Sequence, residues 1–190
     1  MGRITEGVGL KGQIDYPPSE YAMQLLRKRK CLEMAYFTKE NRKRVYNSGR
    51  NKNETPMSFM IDGSGLWLQA GDPGRPMKGI AEDKDLTLVQ FTSAQAPLLD
   101  AMGKTSYSPE AIHSLAKCFA NMMTLRVRDN NFGHEAIMKH FSIARKRWHE
   151  QLQTESCFDI SVIDEAEVER IRQELECEAH YARQDTVLKP

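Results

Sequence analysis

The sequence lacks any apolar run long enough to cross a bilayer. A transmembrane helix needs about 18 consecutive apolar residues, and no such run occurs in the 190 residues. The opening segment, residues 1–9, also lacks the apolar stretch of a secretory signal. We therefore expect a cytoplasmic protein with no membrane partner.

The sequence also lacks the spaced ligands and loops of common catalytic sites. Its four cysteines are too far apart for a C-x-x-C site. His134 and His140 miss the four-residue spacing of a zinc protease. Neither a G-x-x-x-x-G-K-[ST] phosphate loop nor a G-x-S-x-G nucleophile elbow is present. We expect no metal and no cofactor, name no catalytic residue, and favour a binding protein over an enzyme.

The charges are unevenly distributed along the chain although the net charge is only +1. Residues 1–55 carry twelve Lys and Arg against six Asp and Glu, whereas residues 150–190 carry four against eleven. Such asymmetry is typical of a nucleic-acid-binding body with an acidic tail. It is equally typical of two chain ends that attract each other in the fold.

The pattern of apolar residues predicts an α+β fold with a small antiparallel sheet and a mainly helical C-terminal half. In the N-terminal part, residues 1–104, Ser19 and Thr38 precede helical patterns. The apolar runs 57–61 and 66–69 flank a glycine-rich turn and predict a hairpin. Residues 86–91 predict a third strand, and Ser93 a helix N-cap. The two parts are expected to form one compact unit.

The C-terminal part, residues 105–190, is predicted to be helical. Ser108-Pro109-Glu110 combines a hydroxyl cap with a proline at the first helical position. Further helices are expected from about Gly133 and after Asp164, and residues 158–163 suggest a strand.

Residues 133–152 resemble the helix-turn-helix of DNA-binding proteins. The motif's apolar positions fall on Ile137, Phe141, Ile143 and Trp148, with Ser142 at the turn. The resemblance implies that the second helix enters the major groove and contacts DNA. The residues that it would present are Arg145, Lys146, Arg147 and His149.

An unbroken amphipathic helix is the alternative for the same segment. Ile137, Phe141, Ala144, Trp148 and Leu152 follow helical spacing along one face. This alternative leaves Ile143 exposed, whereas the helix-turn-helix buries it in the turn. The exposure of that one side chain therefore distinguishes the two.

Two further segments suggest contacts with phosphate. The N-terminal third carries two basic clusters, which suit the phosphates of DNA and equally suit a solvated helix face; they are Lys28, Arg29, Lys30, Arg42, Lys43 and Arg44. Residues 57–103 also show a strand, a loop with Gly71, Gly74 and Arg75, another strand and a short helix. That order resembles the ParB/sulfiredoxin-like fold, which implies that this loop binds phosphate or nucleotide.

Three functions follow as hypotheses from these patterns. The first is a DNA-binding regulatory or accessory protein that uses residues 133–152, with a homodimer as a further expectation. The second is a protein-interaction module, an inhibitor or adaptor, that uses the acidic C-terminal helix. The third is a nucleotide- or nucleic-acid-processing enzyme built around Arg75, with Asp62 or Asp72 as the acid group.

Overall fold

A computed structural model describes residues 16–50, 58–62, 65–69, 78–154 and 156–187. Within these ranges the chain forms six α-helices and two short strands. The helices are α1 (Glu20–Arg27), α2 (Lys39–Arg50), α3 (Leu88–Gly103), α4 (Pro109–Thr124), α5 (Gly133–Gln151) and α6 (Glu165–Val187). Short 3₁₀ turns occur at Met34–Phe37, Asp83–Asp85 and Arg126–Asp129.

The predicted α+β class is wrong, because the part of the chain that the structure describes is mainly helical, at 72%. The two strands, β1 (Ser58–Asp62) and β2 (Gly65–Gln69), pair antiparallel as one hairpin, and no third strand joins them within the described ranges. Residues 158–163, predicted as a strand, form a loop and turn that lead into α6. A lone hairpin does not supply the sheet that an α+β core requires.

The predicted third strand is the beginning of α3. The Thr87 side chain accepts a hydrogen bond from the Gln90 backbone N–H (3.3 Å), and the Gln90 side chain accepts one from the Thr87 N–H (3.1 Å). This reciprocal capping box satisfies two of the amides that a helix start leaves unpaired. The N-cap is therefore Thr87, six positions before Ser93, the predicted cap.

Several other helix starts match their local signals. Ser19 caps α1 by accepting from the Ala22 N–H at 3.1 Å, and α2 begins directly after Thr38. Ser108 accepts from the Ala111 N–H at 3.2 Å, and Pro109 occupies the first turn of α4. These predicted starts are confirmed, because capping depends on residues within one turn of each other.

The core brings α3, α4 and α5 together through three aromatic rings. Phe91, Phe119 and Phe141 lie with ring centroids 5.4–5.8 Å apart. Offset and edge-to-face contacts of this kind add to the burial of the rings. Helix α6 then packs against the body through Val168 and Ile171, both fully buried. Helix α5 is thereby covered by α6 along one side and by the core along another.

Candidate functional site

Helix α5 runs without interruption through the segment that resembles a helix-turn-helix. Ser142, the predicted turn residue, is helical and buried, and Ile143 is 43% exposed. The bend predicted at Ser142 is therefore wrong, and the alternative prediction of one unbroken helix is confirmed. Without the bend, no second helix projects from the body to enter a groove of DNA.

Arg145, predicted to contact DNA, lies inside the protein with only 1% of its surface exposed. Its guanidinium donates to the Asp83 carboxylate through both Nε (2.7 Å) and Nη2. Nη2 also donates to the backbone carbonyl of Leu32 at 2.6 Å. Arg145 is therefore a structural residue, and the prediction that it contacts bases is wrong.

Asp83 extends this buried ion pair to the N-terminal part of the chain. Its other carboxylate oxygen accepts from the Met34 backbone N–H at 2.6 Å. Its own backbone N–H donates to the Glu33 carboxylate at 2.7 Å. Burial and the nearby carboxylate of Asp83 both raise the pKa of Glu33. One arginine thus holds α5, the turn at Asp83–Asp85 and the segment before Met34 in one arrangement.

His149 also lies inside, so the prediction that it contacts DNA is wrong. Its Nδ1 lies 3.2 Å from the Tyr107 hydroxyl, and the ring is 3% exposed. Burial, with a smaller effect from the nearby positive charge of Arg145, lowers the pKa of His149 to about 3. The imidazole is therefore neutral at physiological pH and offers no charge to a phosphate.

The depressed pKa of His149 predicts a specific loss of stability in acid. A histidine in the unfolded chain has a pKa near 6.5. Below that pH the unfolded chain therefore binds a proton at His149 that the folded chain does not bind. Stability from this group is therefore lost as pH falls from about 6.5 toward 3, by about 1.4 kcal/mol per pH unit within that window. Urea unfolding across this range should show a steeper decline for the native sequence than for His149→Gln. The same substitution at the exposed His113 is the control, and equal slopes for His149→Gln and the native sequence would contradict the prediction.

The remaining predicted DNA contacts fall into two groups. Arg42 is buried and donates from Nε to the Phe37 carbonyl at 3.1 Å, so its prediction as a DNA contact is wrong. The others are exposed, and their contact with phosphates stays a prediction; they are Lys28, Arg29, Lys30, Lys43, Arg44, Lys146 and Arg147. Arg29 donates to the Ser106 carbonyl at 2.8 Å, and Lys146 lies 3.8 Å from the Glu33 carboxylate.

The predicted phosphate loop lies outside the described residues. This holds for Gly71, Gly74 and Arg75, and for Asp72 as a candidate acid group. The order of elements that suggested a ParB/sulfiredoxin-like fold is wrong after the loop, because residues 88–103 form α3 where a strand and a short helix were expected.

A groove that the sequence patterns did not predict lies between α4, α5, α6 and the loop that precedes α6. Its volume is about 650 Å³. Its apolar lining includes three exposed side chains, Ile143 (43%), Phe158 (39%) and Val162 (76%). Ile143 is the residue that the prediction of an unbroken helix left outside the apolar face of α5. Phe158 and Val162 belong to residues 158–163, which were predicted to form a strand. Ile143, which an unbroken α5 leaves outside its apolar face, was thus the available signal.

The charges that line the groove are of both signs, because Asp164 and Glu167 are acidic whereas Arg147 and Arg170 are basic. The Asp164 carboxylate accepts the Glu167 backbone N–H at 3.0 Å, and Glu167 pairs with Arg170 at 2.7 Å. Arg147 differs, because it forms no hydrogen bond or ion pair with another residue in the described part of the chain, although its charge contributes to lowering the pKa of Glu167. Burial lowers the pKa of His140, against the opposing effect of the two carboxylates. The groove is therefore apolar with charges of both signs in its lining, and Arg147 on the α5 wall lies near the Glu167 carboxylate without a hydrogen bond or ion pair in the described part of the chain.

Comparison with protein-family models, curated proteins and solved structures finds no match to this chain. Within the described ranges, no group of three or more His, Cys, Asp and Glu side chains is placed to hold a metal ion. None of the helices described here has both the length and the apolar character needed to cross a membrane.

Proposed function

We propose that this chain is a protein-interaction module whose groove binds an amphipathic helix with acidic residues. The observation that carries the proposal is the groove itself, where Ile143, Phe158 and Val162 present apolar surface to solvent. Exposed apolar residues that cluster at a concave surface are typical of sites that bind proteins. A cytoplasmic location belongs to the same proposal.

The form of the groove supports a helix as its ligand. Its lining on α5 extends from His140 to Gln151, which is about three helical turns, and α6 with the loop before it supplies another side. An amphipathic helix buries its apolar face in such a groove through residues at helical spacing. Arg147 on the α5 wall favours an acidic residue beside the apolar face, since its guanidinium forms no hydrogen bond or ion pair within the described ranges and can pair with an opposite charge.

A selection experiment with displayed peptides tests the proposal even though the natural partner is unidentified. A displayed library of amphipathic helical peptides is selected on the native chain and then tested on Val162→Asp. We expect selected peptides to be enriched in acidic residues and to bind Val162→Asp at least about tenfold more weakly, which corresponds to about 1.4 kcal/mol.

The matched control is Val89→Asp on α3, because Val89 is also 76% exposed and does not line the groove. Peptides that bind all three proteins equally would show that the groove is not the binding surface. The absence of any selected peptide would also contradict the proposal.

A further inference from the structure

The C-terminal half of α6 extends beyond the body of helices that supports its first half. Val168 and Ile171 are buried, and Leu175 is half-buried against the core. From residue 176 to residue 184 every residue is exposed except the half-buried Ala179. Residues 176–187 correspond to about 18 Å of helix axis. From residue 176 to residue 184 this helix is therefore mostly exposed, without the burial that normally stabilises a helix in water.

The apolar face of α6 continues into this unsupported half. Ala179 and Ala182 follow Leu175 by four and seven positions, so all three lie on the same face as Ile171. The ion pair between Arg172 and Glu176, at 2.9 Å, stabilises such a helix by only a few tenths of a kcal/mol. The face with Leu175, Ala179 and Ala182 is thus suited to packing against another apolar surface.

This half of α6 carries acidic residues that can pair with Arg147 of the groove. Residues 174–187 carry four Asp and Glu against one Arg. Glu178 borders the apolar face by its helical position, and it forms no hydrogen bond or ion pair with another described residue. The groove offers Arg147, which likewise forms no hydrogen bond or ion pair in the described ranges, although its charge acts on Glu167. An acidic amphipathic helix, the ligand class proposed for the groove, is therefore present in the chain itself.

We propose that the C-terminal half of α6 binds in the groove of a second copy of this chain, so that two copies form a dimer. The inference rests on the proposed function, because it names the partner helix. The first half of α6 borders the groove through Glu167, Arg170 and Ile171. Antiparallel pairing of two α6 helices about a two-fold axis places each C-terminal half beside the other copy's groove. The apolar contact and the contact between Glu178 and Arg147 then each form twice.

Sedimentation equilibrium of the full chain tests the dimer. We expect the native chain to dimerise, and we expect Ile143→Asp, Arg147→Glu and Glu178→Arg each to raise the dimer Kd about tenfold or more. Combining Arg147→Glu with Glu178→Arg restores the opposite charges and should return the Kd to within about threefold of the native value. Val89→Asp is again the control, and circular dichroism establishes that each variant retains its helices.

Two results would overturn the dimer. One is a native chain that stays monomeric at about 100 µM, a concentration at which a dimer with a Kd of about 1 µM is almost completely formed. The other is a dimer whose Kd is unchanged by the three single variants, because it would use a different surface. If the chain is a monomer and its groove still binds displayed acidic helices, the dimer is ruled out and the proposed interaction module is retained. The two proposals therefore fail on different measurements.

Discussion

Replacing Arg145 with alanine is expected to lower the free energy of unfolding by about 3–5 kcal/mol. The substitution leaves the Asp83 carboxylate buried without its opposite charge, and the Leu32 carbonyl without a donor. An uncompensated buried charge loses its hydration without any replacement, which is why breaking such a pair is strongly destabilising. Urea unfolding followed by circular dichroism measures the change.

Lys146→Ala is the matched control, because Lys146 is the next residue along α5, is exposed and does not line the groove. We expect it to change stability by less than about 0.5 kcal/mol. The double variant Arg145→Met with Asp83→Asn removes both charges, and it should be less destabilised than the sum of the two single variants. Equal stability of Arg145→Ala and the native chain would show that the buried ion pair does not hold α5 in place.

Replacing Gly133 with alanine is expected to destabilise the protein by about 3 kcal/mol. A Cβ atom at this position would lie 1.8 Å from the Val127 carbonyl oxygen and 2.8 Å from its carbon. Both are backbone atoms of the turn Arg126–Asp129, so the clash cannot be relieved by rotating a side chain. Either this turn or the first turn of α5 has to move, which disturbs the packing that follows. Thermal unfolding measures the loss as a lower Tm.

Gly103→Ala makes the same chemical change where space is available. An added Cβ at Gly103, the last residue of α3, would meet no atom within 4 Å. We expect this control to be neutral or to stabilise the protein by up to about 1 kcal/mol, since alanine loses less conformational entropy than glycine in a helix. If Gly133→Ala were as stable as Gly103→Ala, the close approach of the two backbones would not be a constraint on the fold.

The helix starts could be predicted because each depends on residues within a single turn. Ser19 and Ser108 cap their helices through hydrogen bonds to amides three positions ahead. The beginning of α3 could not be predicted in the same way, since Leu86–Phe91 is an apolar run that suits a strand as well as a helix. Packing of Phe91 between Phe119 and Phe141 favours the helix, and those rings come from distant parts of the sequence.

The groove was beyond prediction for a related reason. Ile143 lies on α5, and Phe158 lies in the irregular loop before α6. Only the folded chain places both at one surface. The sequence showed only that Ile143 was a poor fit to an unbroken helix. It could not show that Ile143 and Phe158 share a concave surface with Arg147.

The amino-acid sequence alone determined where most helices begin and that α5 has one apolar face, because capping and helical periodicity are local properties. Tertiary structure decided what the basic residues of that helix do. Three consecutive basic side chains, Arg145, Lys146 and Arg147, are equivalent in a sequence pattern, yet successive positions on a helix differ by about 100° in direction. Arg145 therefore points inward to Asp83, 62 positions away in the chain, while Arg147 borders the groove.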